Sequence, residues 1–193
     1  MTQLLSIAIG RGFLSMKILI AEDEEDIALV YKKALETRMH EVAITYNGED
    51  CLKTYHDRFY YMKFPTLSSP WRYNMNISPF DVLLLDYRLP DMNGMEVAKE
   101  ILAVNSHQRI IFASAYVKET LQESVKQLHQ IVELIQKPFE INKLIDTIED
   151  EEVYTELKKL NVDIDVIKAA NPTHEQITDL LERLRKIEKM RTF

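Results

Sequence analysis

Five polar side chains could do chemistry together if the fold gathers them: Glu22 and Asp23, Asp86, Ser114, and Lys137, which precedes Pro138. Each alone is ordinary. An Asp after an apolar run often caps a loop or helix, and a single Ser or Lys is usually a solvated surface group. As a set they are unusual. Crowded carboxylates repel and raise one another's pKa unless a cation sits among them. An all-oxygen donor set suits a hard divalent ion such as Mg²⁺. The lysine adds a point charge that could meet an anion, and the serine adds a hydrogen-bond donor. A carboxylate nucleophile beside Mg²⁺, an ammonium and a hydroxyl is what transfer of a phosphoryl group onto an aspartate requires. The metal and the lysine would neutralise the three equatorial oxygens, and the hydroxyl would hydrogen-bond one of them.

These residues are distant in the chain, so strands must bring them to one place. Residues 17–21, KILIA, read as a first strand, followed by the acidic run 22–26. Ile27, Val30, Tyr31, Ala34 and Leu35 then share a helical face, and the acids suit that helix's positive N-terminus. Val42-Ala43-Ile44 reads as a second strand, and Gly48 opens a helix with Leu52, Tyr55 and Phe59. Residues 81–86 form an apolar third strand, as expected when both faces of a sheet are covered. The turn 89–94 leads to a helix carrying Val97, Ala98, Ile101 and Leu102. Ile110–Ala113 is a fourth strand, followed by a helix with Leu121, Val125 and Leu128. Ile131–Ile135 is a fifth strand, ending at Lys137-Pro138, and a last helix holds Ile141, Leu144, Ile145 and Ile148. Five β–α alternations predict an α/β fold with a doubly wound, five-stranded parallel sheet. Such sheets collect functional groups outside the carboxyl ends of their strands. All five candidates stand there.

Two segments depart from the alternation. Residues 60–79 are an insertion rich in aromatics, with Tyr60, Tyr61, Phe64, Trp71 and Tyr73 among Pro65, Pro70 and Pro79. It reads either as a surface segment packed back on the domain or as a recognition loop. The stretch 149–193 reads as a small, all-helical C-terminal extension too short to fold alone. Thr173-His174-Glu175-Gln176 has the pattern of a capping box, and Ile177, Leu180, Leu181, Leu184 and Ile187 make an apolar stripe.

Of the 193 residues, 46% are hydrophobic and 28% charged, as in ordinary soluble domains. The net charge of −7 argues against nonspecific nucleic-acid or membrane binding as the main activity. The single cysteine, Cys51, cannot form an internal disulfide. No run approaches the roughly 20 apolar residues that span a bilayer. Residues 1–15 lack the charge order of a secretory signal and read as an N-terminal extension, so the expected address is cytoplasmic.

The motifs IAEDEED (20–26), LLLDYRLPDMNG (83–94), FASAY (112–116) and QKPF (136–139) resemble, in that order, the receiver domain of two-component response regulators. The resemblance covers residues 16–148 and implies the flavodoxin-like receiver fold. It implies that Asp86 is the phosphoacceptor. Asp23 would bind Mg²⁺ directly, Glu22 through water, and Asp86 and the Arg88 backbone carbonyl would complete the ligands. Ser114 would be the switch hydroxyl, Ala115 the small residue beside it, and Lys137 the partner of the phosphoryl group, preceding a cis bond to Pro138. On that role, Lys137→Met is expected to leave Mg²⁺ binding largely intact. Arg88 and Tyr116 match the positions that tune dephosphorylation, and their bulk implies slow loss. Leu134 departs from the family, which usually places an aromatic there, so coupling through Tyr116 or another contact is an alternative.

A protein of this kind would be charged by a sensor histidine kinase or a phosphotransfer protein, and would not turn over an external substrate. The extension could then signal through protein–protein contacts or a homodimer. The alternative is a transcription regulator binding DNA through Arg183, Arg185, Lys186, Lys189 and Arg191 on the last helix. A haloacid dehalogenase-type phosphatase would place its nucleophile on the first strand, which is the wrong order here.

Overall fold

Five short runs of β-branched and aliphatic residues become strands: β1 (Lys17–Ala21), β2 (Glu41–Thr45), β3 (Val82–Asp86), β4 (Arg109–Ser114) and β5 (Val132–Gln136). In this computed structural model the described residues are 15–63, 78–115, 132–170 and 172–191. The helices among them are α1 (Glu25–Thr37), α2 (Gly48–Lys63), α3 (Gly94–Val104), α4 (Ile141–Lys159), α5 (Ile164–Ala169) and α6 (His174–Arg191). Most of the N-terminal extension, most of the aromatic insertion, Tyr116 and the expected helix with Leu121, Val125 and Leu128 lie outside the described residues. The chain divides into two compact units, Met1–Pro138 and Phe139–Phe193. Helix α4 runs without a break through residues 148 and 149.

The sheet is wholly parallel, in the order β2-β1-β3-β4-β5. The order reverses between β1 and β3, and that switch point opens a crevice beyond their carboxyl ends. All five residues of β3 are buried, which accounts for its unbroken apolar run. Leu19, Ala21, Leu83, Leu85, Ile110 and Phe112 join Tyr55 of α2 and Val97, Ala98 and Ile101 of α3 in one core. The alternate strand residues Ile18, Ile20, Leu84, Ile111 and Ala113 are equally buried, and α1 contributes Ala28, Tyr31 and Leu35.

The expected face of α1 therefore needs one correction. Val30 is 57% exposed, and the small Ala28 is buried in its place. A helix lying on a flat sheet buries a stripe of spacing three and four, here 28, 31 and 35, and Val30 falls beside it.

Local chemistry sets the helix ends. Asn93 and Glu96 form a reciprocal capping box at α3, with Glu96 N–H donating to Asn93 Oδ1 at 3.0 Å and Asn93 N–H donating to Glu96 Oε2 at 3.1 Å. Thr173 and Gln176 repeat that exchange at α6. A buried polar cluster has no signal in the local sequence pattern. The Tyr55 hydroxyl donates to Gln108 Oε1 and accepts from Asn105 Nδ2, both at 2.9 Å, and Ser78 bonds Gln108 and Asn105. It ties the residues entering β3 to α2 and to the start of β4, at the end of the sheet opposite the crevice.

Candidate functional site

Register decides which groups can meet. Ala21 of β1 pairs with Leu85 of β3, so the next residues, Glu22 and Asp86, stand level on neighbouring strands. Asp86 pairs with Ala113, one residue short of Ser114, and Ser114 pairs with Gln136, one residue short of Lys137. Lys137 N–H donates to the Ser114 carbonyl at 2.7 Å, which carries the strand pairing past the end of β5. The Lys137–Pro138 peptide is cis. Glu22 N–H donates to the Thr45 carbonyl at 3.1 Å, and the buried Thr45 hydroxyl donates to the Ile20 carbonyl at 3.2 Å, so β2 braces the end of β1.

On this frame the side chains converge. Lys137 Nζ donates to Asp86 Oδ2 at 2.5 Å and to Glu22 Oε2 and Oε1 at 2.7 and 3.0 Å. Asp86 Oδ1 accepts from the Arg88 backbone N–H at 2.9 Å. One carboxylate oxygen each from Glu22, Asp23 and Asp86 lie within 4.8 Å of one another. Glu22 is buried, Asp86 nearly so, and Asp23 opens to solvent. An open cleft of about 310 Å³ is lined by Asp23, Asp86, Arg88, Ser114, Ala115 and Lys137. Glu24, absent from the expected set, also lines the cleft. Its signal was its place in the acidic run directly after Asp23. Of the sequence-expected site residues, Tyr116 lies outside the described residues.

Electrostatics makes the cluster sensitive to any added cation. Burial pushes the Glu22 carboxyl up to about 7, although its bonds to Lys137 act the other way. Burial alone would lower Lys137, but its bonds to Asp86 and Glu22 more than reverse that, and its pKa is raised. The donor set fits a hard divalent ion: three carboxylates, with the exposed Asp23 facing open cleft. Such an ion would share Glu22 and Asp86 with the ammonium of Lys137. The geometry therefore argues against the expectation that Lys137→Met leaves Mg²⁺ binding unchanged. Removing that charge should tighten Mg²⁺ binding by at least about tenfold, since one unit charge about 4 Å from a divalent ion costs about 2 kcal/mol even at the dielectric of water. Isothermal titration at pH 8, where Glu22 is ionised in the native chain, reads this directly. Unchanged or weaker binding would show that Lys137 and the metal do not compete.

Comparison with known proteins places these features in context. Residues 69–149 match the family model of the response regulator receiver domain. The chain is 24% identical over 133 residues to the response regulator receiver protein CpdR of Brucella abortus, covering 69% of this chain and 93% of that protein. It is 31% identical over 130 residues to the response regulator ArlR of Staphylococcus saprophyticus, covering 67% of this chain. It spans 49% of the length of ArlR and 23% of that of the DNA-binding transcriptional regulator NtrC of Azospirillum brasilense. Among solved structures, a CheY-like receiver domain protein from Methanospirillum hungatei superposes with a TM-score of 0.56 at 20% identity, over 72% of this chain and 94% of that one. The receiver domain of the sensor histidine kinase PA1611 of Pseudomonas aeruginosa, which holds a magnesium ion in its active-site cleft, superposes with a TM-score of 0.53 at 20% identity, over 71% of this chain and 97% of that one.

Proposed function

From the premise that this chain carries a response regulator receiver domain of the two-component type, we propose that Asp86 accepts a phosphoryl group from the phosphohistidine of a sensor histidine kinase or a phosphotransfer protein. The observation that carries the reading is the convergence on Asp86. Lys137 holds one of its oxygens, the Arg88 N–H holds the other, and two more carboxylates lie within 4.8 Å. Glu22, Asp23, Asp86 and the Arg88 carbonyl would hold Mg²⁺, with Glu22 acting through water. When bound, the ion supplies positive charge to the oxygens of the incoming phosphoryl group.

The chain's own groups do the rest. An Asp86 oxygen attacks phosphorus as the bond from phosphorus to the donor's imidazole nitrogen breaks, and the electron pair leaves with the ring. Both Asp86 oxygens are already oriented by donors, so little side-chain freedom is lost on reaction. Lys137, bonded to the carboxylate before transfer, shifts to the new phosphoryl oxygens. Ser114 lines the same cleft and would donate a hydrogen bond, and Ala115 beside it would leave space. Withdrawal of Lys137 from Asp86, with a shift of the Ser114 hydroxyl towards the phosphoryl group, would be the start of the conformational change.

No helix among the described residues is long and apolar enough to cross a membrane, and a cytoplasmic setting is our reading. The helical segment Phe139–Phe193 would pass the signal on through protein–protein contacts or a homodimer. Two of the basic residues on α6 that a DNA-binding reading needs are already engaged: Arg183 with Asp179, and Arg185 with Glu156, both at 2.8 Å.

Intact mass spectrometry after incubation with a small phosphodonor tests the proposal. The native chain should gain one phosphoryl group with Mg²⁺ and none after chelation, and Asp23→Asn should blunt the gain. An unmodified mass under all conditions would overturn the reading, and a gain that survives chelation would remove the metal from it.

A further inference from the structure

The second unit contains an ion cluster that the proposed chemistry does not use. His174, the first residue of α6, is mostly buried, and its Nδ1 lies 2.6 Å from Asp150 Oδ1 on α4. Its Nε2 lies 3.4 Å from Glu149 Oε2, a carboxylate that is only 1% exposed. Asp146, one turn earlier on α4, is also within electrostatic reach, with Lys143 beyond it. On its own helix, Glu175 follows in the first turn, and the Thr178 hydroxyl donates to the His174 carbonyl at 2.9 Å. One imidazole thus faces three acids at a helix N-terminus, where the helix dipole disfavours a cation. The acids must outweigh that dipole for the arrangement to hold.

Below the imidazole, α4 and α6 pack along faces whose buried residues include Val153, Leu157, Ile177 and Leu181. Farther along, Arg185 donates to Glu156 at 2.8 Å, and bonds from Lys159 and Arg185 hold the Glu156 carboxyl below its usual value. The two helices are therefore fastened at two points of different character. One is independent of pH in the physiological range; the other is a histidine.

We propose that His174 is a pH-sensitive latch that fastens the amino end of α6 to α4 when protonated and loosens it when neutral. A neutral imidazole keeps at most a hydrogen bond to Asp150 and no longer supplies the positive charge that Asp150, Asp146 and Glu149 face, so the fastening weakens. The sign follows. Asp150 foremost, with Asp146 and Glu149, raises the His174 pKa against the lowering effect of burial. Latch stability is fully present below the unfolded value of about 6.5 and is lost as pH rises through the raised folded value. The consequence is local, confined to the first turns of α6.

Hydrogen exchange of the full chain, followed residue by residue between pH 6 and 8.5 and corrected for intrinsic rates, reads the latch. Opening at Ile177 and Thr178 should increase about tenfold for each unit by which the folded pKa exceeds 6.5, while amides near Arg185 change little. NMR titration of the His174 ring, identified by its loss in His174→Gln, should give a midpoint above 6.5. His174→Gln should abolish the pH dependence at those amides, and His174→Lys should keep them protected at pH 8.5. A His174 midpoint at or below 6.5 would overturn the latch. So would an unchanged pH profile in His174→Gln.

Discussion

Asp86→Asn is expected to end phosphoryl uptake completely while leaving the fold in place. An amide carries no anionic oxygen to attack phosphorus, so the change removes the nucleophile itself and not an accessory. The site should otherwise survive. The Asn Oδ1 can still accept from the Arg88 N–H, as Asp86 Oδ1 does at 2.9 Å. Its amide nitrogen would face the Lys137 ammonium, donor against donor, and Lys137 would fall back on its two bonds to Glu22. Removing one of three crowded carboxylates also relieves repulsion. The net change in stability should stay within about 1 kcal/mol. Intact mass with Mg²⁺ and a small phosphodonor, beside a urea unfolding curve, separates loss of the acceptor from loss of the fold. Full uptake by Asp86→Asn would move the acceptor elsewhere, with Asp23 the next carboxylate to examine.

Gly94→Ala should act on the same residue through the backbone. A Cβ built on Gly94 would lie 2.1 Å from the Asp86 carbonyl oxygen and 3.1 Å from its carbonyl carbon. Gly94 N–H also donates to the Tyr87 carbonyl at 3.1 Å, which holds the start of α3 against the end of β3. The obstructing atoms are backbone atoms within the buried sheet, so no rotamer change relieves the clash. Either α3 moves away from the core formed by Val97, Ala98 and Ile101, or the end of β3 shifts and carries Asp86 with it. We expect a loss of about 2–4 kcal/mol, at the upper end for overpacking because no flexible side chain can give way. Where the variant remains folded, its rate of phosphoryl uptake should fall as well. Chemical denaturation gives the first quantity and timed mass measurements the second. A loss below about 1 kcal/mol together with native uptake would show that this close approach is relieved at little cost.

Much of this was legible along the chain because it is local. A strand covered on both faces shows an unbroken apolar run, and a capping box places its two partners three residues apart, so KILIA, the buried run of β3 and the Thr173–Gln176 cap announced their structures within a few residues. Five β–α alternations also limited the topology, and the ends of parallel strands share a rim whatever the details. The four motifs carry the candidate residues in the sequence itself.

Interactions between distant segments had no such signal. That Lys137 grips both oxygens of Glu22 as well as Asp86 follows from the level register of β1 with β3 and from the longer reach of Glu over Asp. No local pattern encodes either contact. Val30 and Ala28 exchanged places because the sheet, not the helix, chose which stripe to bury. The cluster of Tyr55, Asn105, Gln108 and Ser78 looked like scattered polar residues until tertiary packing removed water from around them. His174 read as part of a helix cap, and only the packing of α6 on α4 set it against Asp150 and the buried Glu149. Residue types and their order thus declared the fold and the available chemical groups. The three-dimensional structure decided which charges meet, because the free energy of a charge depends on its partners and its burial, and neither is a property of neighbouring letters.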